Sequence, residues 1–168
     1  MATNTAPETG RQHREEHVVI FRLAEEFYAL DIQYIQEIVR MQQITSIPGA
    51  AYYVDGLTTF RGSAIPVIDL RRRCGVAVSD YSFDTRIVVV SSGEGMVGLT
   101  VDAVTEVRRI PADQIEANSN VVKQRDNEYI RGIAKLEDRL VALIELDGLL
   151  PTTIVSDAEE SATLAEAA

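Results

Sequence analysis

The sequence predicts an all-β protein built from two small barrels packed together, and three observations carry that expectation. Short runs rich in β-branched and aromatic residues recur along the 168-residue chain with Gly and Pro between them, a pattern of many short strands. The chain also repeats itself. Residues 18–38 align without a gap on 87–107, so that Ile20-Phe21 falls on Val89-Val90, Glu25 on Glu94, Leu30 and Ile32 on Leu99 and Val101, and Ile35-Gln36-Glu37-Ile38 on Val104-Thr105-Glu106-Val107. A repeat of roughly 65–70 residues is too long for a solenoid unit but suits a small closed barrel, and two barrels packed together bury more core than either alone. Finally, the run from Ser63 to Leu70 is apolar at all but Ser63 and Asp69, which fits a strand buried on both faces.

The elements follow in order. Residues 1–17 are polar and aperiodic and read as a flexible tail, with His13 and His17 solvated in it. Val18 to Leu30 reads as a hairpin turning at Ala24-Glu25-Glu26. Ile32 to Val39 fits either a helix face or a strand, and its β-branched content favours a strand with a bulge. Ile47-Pro48-Gly49-Ala50 is a turn, with a shifted echo in Ile110-Pro111. Arg61-Gly62 is a sharp reversal: Gly62 tolerates positive φ, and Arg61 stands at the strand mouth because an unpaired guanidinium is costly to bury. Pro66 lacks a ladder donor, which predicts an edge strand or a bulge. Arg71-Arg72-Arg73 reads as a solvated strand end in preference to an anion-binding patch. Cys74 reads as a small core residue and residues 76–85 as a polar connector. In the second copy Arg131-Gly132 echoes Arg61-Gly62, and Val141 to Leu146 echoes Ile65 to Leu70, with a longer loop from Lys135 to Arg139. The copies span roughly 18–75 and 86–150 of one body, 18–150, and whether each closes on itself or they exchange strands is left open. Residues 151–168 carry Asp157, Glu159, Glu160 and Glu166 with no Lys or Arg. They read as an acidic tail or a short helix capped at Ser156.

Composition limits function. The net charge of −10 argues against nucleic acid as a partner, since that needs a basic footprint, and no apolar run reaches membrane-spanning length. One cysteine excludes a disulfide framework and a Cys-based zinc site. With no secretory signal pattern, the expected compartment is the cytoplasm. There is no phosphate-binding loop, dinucleotide fingerprint, nucleophile elbow or zincin motif. Asp102 and Glu106 as an acid/base pair is a weaker reading than two exposed carboxylates beside a bulge. No catalytic residue, metal or cofactor is expected. What remains is surface: Glu37 and Glu106, and Arg61 and Arg131, are charges set among apolar strand residues, as at a docking groove between two barrels.

The ordered set Phe21-x-Leu23, Tyr28-Ala29-Leu30-Asp31-Ile32, Ile35-x-Glu37-Ile38, Ile47-Pro48, Gly56-Leu57 and Phe60-Arg61-Gly62 resembles the CheW-type coupling proteins of bacterial chemotaxis. So do Ile65-Pro66-Val67-Ile68-Asp69-Leu70, Gly98-Leu99-x-Val101-Asp102-x-Val104 and Gly132-Ile133-Ala134. The similarity runs over residues 18–150, and Arg-Gly-x-x-x-Pro-Val-x-Asp-Leu is its most specific part. Cys74 departs from the family, where a bulkier apolar residue is usual. The resemblance implies two five-stranded, SH3-like barrels joined in one CheW-like domain, with no activity of its own. It implies an adaptor that bridges the cytoplasmic tip of chemoreceptors to the regulatory domain of a CheA-type histidine kinase, in arrays beneath the membrane and without membrane insertion. It places Glu37, Ile38, Arg61 and Gly62 at receptor-coupling positions, Val101, Val104 and Val107 on the apolar strand of the same groove, and Gly98 and Gly132 at turns or close packing. The competing readings are a small-molecule-binding β-barrel and a coupling protein of a non-flagellar motility system.

Overall fold

A computed structural model of the chain describes residues 14–93, 95–117 and 129–150. The strands are β1 (Glu15–Leu23), β2 (Glu26–Asp31), β3 (Ile35–Arg40), β4 (Val54–Phe60), β5 (Ser63–Asp69), β6 (Arg86–Ser92), β7 (Gly95–Val101), β8 (Ala103–Pro111), β9 (Ile115–Ala117), β10 (Ile130–Lys135) and β11 (Leu140–Ile144). Two single-turn helices, α1 (Leu70–Arg73) and α2 (Leu146–Leu149), follow β5 and β11. The strands form two sheets, one six-stranded in the order β8-β1-β2-β11-β10-β9 and one five-stranded in the order β3-β6-β7-β5-β4. The fold is thus all-β in two subdomains, with one more strand in the six-stranded sheet than the resemblance implies.

The two halves of the chain exchange hairpins. β1 and β2 join the sheet otherwise made by β8 to β11, and β6 and β7 join the one made by β3 to β5. The chain changes sheets twice. After β2, the Asp31 carboxylate accepts the Gln33 N–H and starts a 3-10 turn, Ile32–Tyr34, that delivers β3 to the other sheet. After β7 it returns through Asp102 to β8. The gapless repeat is reproduced in the register: Ile35 and Glu37 oppose Val90 and Val89 across a bulge, and Val104 and Glu106 oppose Phe21 and Ile20 across another. The expected strand over Ile32 to Val39 therefore begins three residues late but carries its bulge.

The exchange explains the apolar strands. Alternate residues of a strand line its own barrel or the core between the sheets. Val18 and Ile20 pack inside the six-stranded sheet, and their counterparts Ile87 and Val89 pack inside the five-stranded one. Phe21, Leu23, Leu30, Ile68, Val88, Val90, Leu99 and Val101 share the core between them. A pair of hydrogen bonds between Thr45 and Leu57 brings the chain after β3 back onto β4.

Several sequence expectations change. Glu15 to His17 belong to β1 rather than to the tail, because Glu16 pairs with Arg131 and the backbone pairs with β8. Pro66 lies in an interior strand: Leu57 opposite it directs both backbone groups to Thr45, so the Pro66 nitrogen faces β7, whose ladder begins only at Val67. Ile110-Pro111 closes β8 and is no counterpart of the Ile47-Pro48-Gly49-Ala50 turn, where Gly49 has φ 77°. Gly98 and Gly132 sit within strands, not turns. A Cβ on Gly98 would come 2.8 Å from Ile87 Cγ2, and one on Gly132 would come 2.7 Å from the Glu116 carbonyl oxygen. Gly132 follows a bulge opposite Leu143 as Gly56 follows one opposite Val67, so the counterpart of Arg131-Gly132 is Asp55-Gly56 and not Arg61-Gly62. His13, the Glu94 turn position and residues 151–168 lie outside the described residues.

Candidate protein-docking site

The site begins at a tight reversal. β4 and β5 are joined by Arg61 and Gly62 alone, with Phe60 paired to Ser63. Both loop residues have positive φ, 50° at Arg61 and 81° at Gly62, as the two-residue turn that matches strand twist requires. Gly adopts this freely, whereas Arg is strained, so the turn holds Arg61 in a backbone state that L-residues avoid. The guanidinium lies 4.9 Å above the Phe60 ring and reaches the Glu37 carboxylate at 3.8 Å. Glu37 is aimed outward by the β3 bulge, whose extra residue turns the strand locally. Ile38 follows it and is partly exposed.

Other residues in the expected groove are distributed differently. Val107 is exposed on β8, an edge strand of the other sheet, and Val104 packs partly buried on the core between the sheets. Val101 is a correction: it is fully buried in that core and presents nothing to a partner. The expected symmetry of charges also fails. Glu106 pairs with Arg108 at 3.4 Å on its own strand, and Arg131 grips Glu16 through two hydrogen bonds of 3.0 and 2.6 Å. Glu37 with Arg61 is therefore not duplicated by Glu106 with Arg131.

Beneath this surface lies a buried ion cluster that the sequence reading missed. Arg71, taken there as part of a solvated strand end, is 1% exposed. Its Nε and Nη2 donate to the two Asp69 oxygens at 3.0 Å each, and Nη1 donates to Asp102 at 3.0 Å and to the Ser79 carbonyl at 2.7 Å. The other Asp102 oxygen accepts the Ala24 N–H at 2.7 Å, so Asp102 is buried and no acid/base partner of Glu106. Burial alone pulls the Arg71 pKa down, but Asp69 and Asp102 outweigh it and leave it above the ordinary value. Arg72 pairs with Asp55 and Asp69, and Arg73 donates to the Leu149 and Gly148 carbonyls beneath Tyr53 and Tyr129. The three arginines hold the fold together and form no anion patch. Asp69 and Asp102 are too far apart in sequence for spacing to reveal their shared partner.

A second feature missed in sequence lies at the end of β3 and β6, where Arg40 stands opposite Arg86. Arg40 lies 5.4 Å over the ring of Phe83, which is 79% exposed. Phe83, flanked by Ser82 and Asp84 near the end of a connector taken as polar, was the available signal. Among the described residues, no group of three or more His, Cys, Asp or Glu side chains could hold a metal ion, and no helix is long and apolar enough to cross a membrane.

Comparison with known proteins matches this arrangement to one family. A CheW-like domain model matches residues 17–153. The chemotaxis protein CheW of Klebsiella aerogenes is 32% identical over 135 residues, covering 80% of this chain and 81% of that protein. That of Helicobacter pylori is 32% identical over 130 residues, covering 77% and 78%. Among solved structures, the crystal structure of the scaffolding protein TtCheW from Thermoanaerobacter tengcongensis matches with a TM-score of 0.76 and 38% identity, over 84% of this chain and 96% of that one.

Proposed function

The chain belongs to the CheW-like family of chemotaxis coupling proteins, and we propose that it bridges the cytoplasmic tip of chemoreceptors to the regulatory domain of a CheA-type histidine kinase. The observation that carries the receptor half of this reading is the exposed Glu37–Arg61 pair, held at 3.8 Å on a strained two-residue turn beside Ile38. A charged pair at 47% and 62% side-chain exposure adds little to stability, so its rigid placement is better explained by a partner that it orients. In this reading Glu37, Ile38, Arg61 and Gly62 contact one receptor helix, and Val104 and Val107 offer apolar surface on β8. Gly98 and Gly132 contribute only by allowing strands to approach closely. The protein acts as an adaptor in the cytoplasm, at the inner face of the receptor array.

Calorimetric titration of the full chain tests both halves. The probes are the regulatory domain of the same organism's CheA-type kinase and a soluble fragment of a receptor's cytoplasmic tip. Micromolar binding of each is expected, with Arg61→Ala weakening only the receptor fragment. Absence of heat with both folded probes overturns the reading.

A further inference from the structure

We propose that Arg40, Phe83 and Arg86 extend the receptor-facing surface and take an acidic side chain flanked by an apolar one, presented one helical turn from the residue that meets Ile38. This rests on the receptor-coupling reading of β3 and adds to it the chemistry of the helix that binds there.

The free protein gains little from this arrangement. Arg40 and Arg86 are directly opposed at the end of the β3–β6 ladder, where like charges destabilise the pairing. On a chain of net charge −10, neither arginine comes within ion-pair distance of a carboxylate among the described residues, although Asp84 is close in sequence. Seven of the thirteen described Lys and Arg side chains form ion pairs, and Arg40 and Arg86 are two unpaired ones that face each other directly across a ladder. The Arg86 guanidinium donates to the carbonyls of Phe83 and Thr85 at 2.8 and 2.9 Å, which fixes the turn that displays Phe83. Arg40 lies over the ring and leaves most of it open to solvent. The result is a paired cation beside an aromatic face, complementary to a carboxylate with an apolar neighbour.

Position on the fold selects the occupant. Arg40 lies two residues beyond Ile38 on β3, about 6–7 Å along the strand. One helical turn rises about 5.4 Å, so a helix resting on Ile38 brings its next turn over Arg40. Residues two apart share a face of a strand, so the patch is continuous with Ile38. Its charge complements an acidic helix.

The test compares the full chain with Arg40→Glu, Phe83→Ala and Arg61→Ala in titrations against the receptor-tip fragment and against the kinase regulatory domain. Arg40 and Phe83 are exposed, so every variant should remain folded, and Arg40→Glu, which replaces the like-charge pair with Arg86 by opposite charges, should melt slightly above the parent. Roughly tenfold weaker receptor binding is expected for Arg40→Glu, with less salt dependence, and a smaller loss for Phe83→Ala, while kinase affinity stays unchanged. If Arg61→Ala weakens receptor binding and Arg40→Glu does not, the patch proposal is overturned and the coupling reading stands. Loss of kinase rather than receptor affinity in Arg40→Glu also overturns it. If the parent chain binds neither probe, both readings fail.

Discussion

Arg71 and Asp102 meet at 3.0 Å where the chain passes from the five-stranded sheet back to the six-stranded one. Arg71 extends from α1, just beyond β5, while Asp102 separates β7 from β8 and also holds the tip of the β1–β2 hairpin through Ala24. One guanidinium therefore joins both sheets at a crossover. Among the described residues the related crossover at Asp31 forms no such cluster: there the carboxylate accepts hydrogen bonds from the local Gln33.

Removing the cation should be severe. Arg71→Met leaves Asp69 and Asp102 buried without their partner, and breaking a buried ion pair in this way costs about 3–5 kcal/mol. That is a large part of the roughly 5–15 kcal/mol that holds a domain folded. Adding Asp102→Asn should recover part of the loss, because it removes one uncompensated carboxylate while an amide oxygen still accepts from Ala24. Urea denaturation of the two single variants and the double variant gives the coupling. Additive losses would mean that Arg71 and Asp102 act independently.

The glycines should rank by what blocks a Cβ. At Gly98 it would meet the Ile87 side chain, a buried β-branched group with little room to turn, and overpacking of this kind costs about 1–3 kcal/mol. At Gly132 it would meet the Glu116 backbone, so β9 itself would have to move. At Gly56 it would overlap the Thr45 carbonyl oxygen, at a φ of 145° that L-residues rarely adopt. Substitution by Ala should therefore destabilise in the order Gly56, then Gly132, then Gly98, read as urea midpoints. Gly98 as the worst position would show that the strand packing assigned here is incorrect.

These elements show what a sequence can reveal. The 18–38 and 87–107 correspondence was visible because paired strands need the same in-out alternation, and both bulges follow from it. Strand exchange was not visible, since Val88 and Val89 read the same whether the second barrel face belongs to their own half or to the other. The Arg-Gly dipeptides misled because identity was matched where geometry was not: Gly132 repeats the backbone crowding of Gly56, which in sequence sits beside Asp55. Val101 was legible as apolar strand, but only the register shows that it faces the core between the sheets.

Arg61 allows stability and docking to be separated. Its φ of 50° carries a left-handed strain of about 1–2 kcal/mol for an L-residue, and Asn-Gly is a preferred pair for this turn. Arg61→Asn should raise the thermal midpoint, by about 0.5–1 kcal/mol of stability, while weakening receptor-fragment binding through loss of the Glu37 partner. A variant that is less stable than the parent would show that the ion pair and the Phe60 contact outweigh the turn strain.

Cys74 gives a prediction in pH. Burial pushes its thiol up from 9.0 to about 11, against a hydrogen bond from Tyr129 and the nearby Arg73 charge that both pull it down. A folded value above the unfolded one means that the folded state keeps its proton longer. The contribution to stability is therefore complete below about pH 9 and is lost as pH rises through about 11. At pH 8 the folded chain should hold roughly 100-fold less thiolate than the unfolded chain, and iodoacetamide should label it correspondingly more slowly. Over the same alkaline range the parent should lose more thermal stability than Cys74→Ala, a comparison that removes the tyrosines from account because both proteins carry them. Equal labelling rates in buffer and in urea would place the thiol at the surface, and the packing of Cys74 beneath Arg73 and against the central core would have to be redrawn.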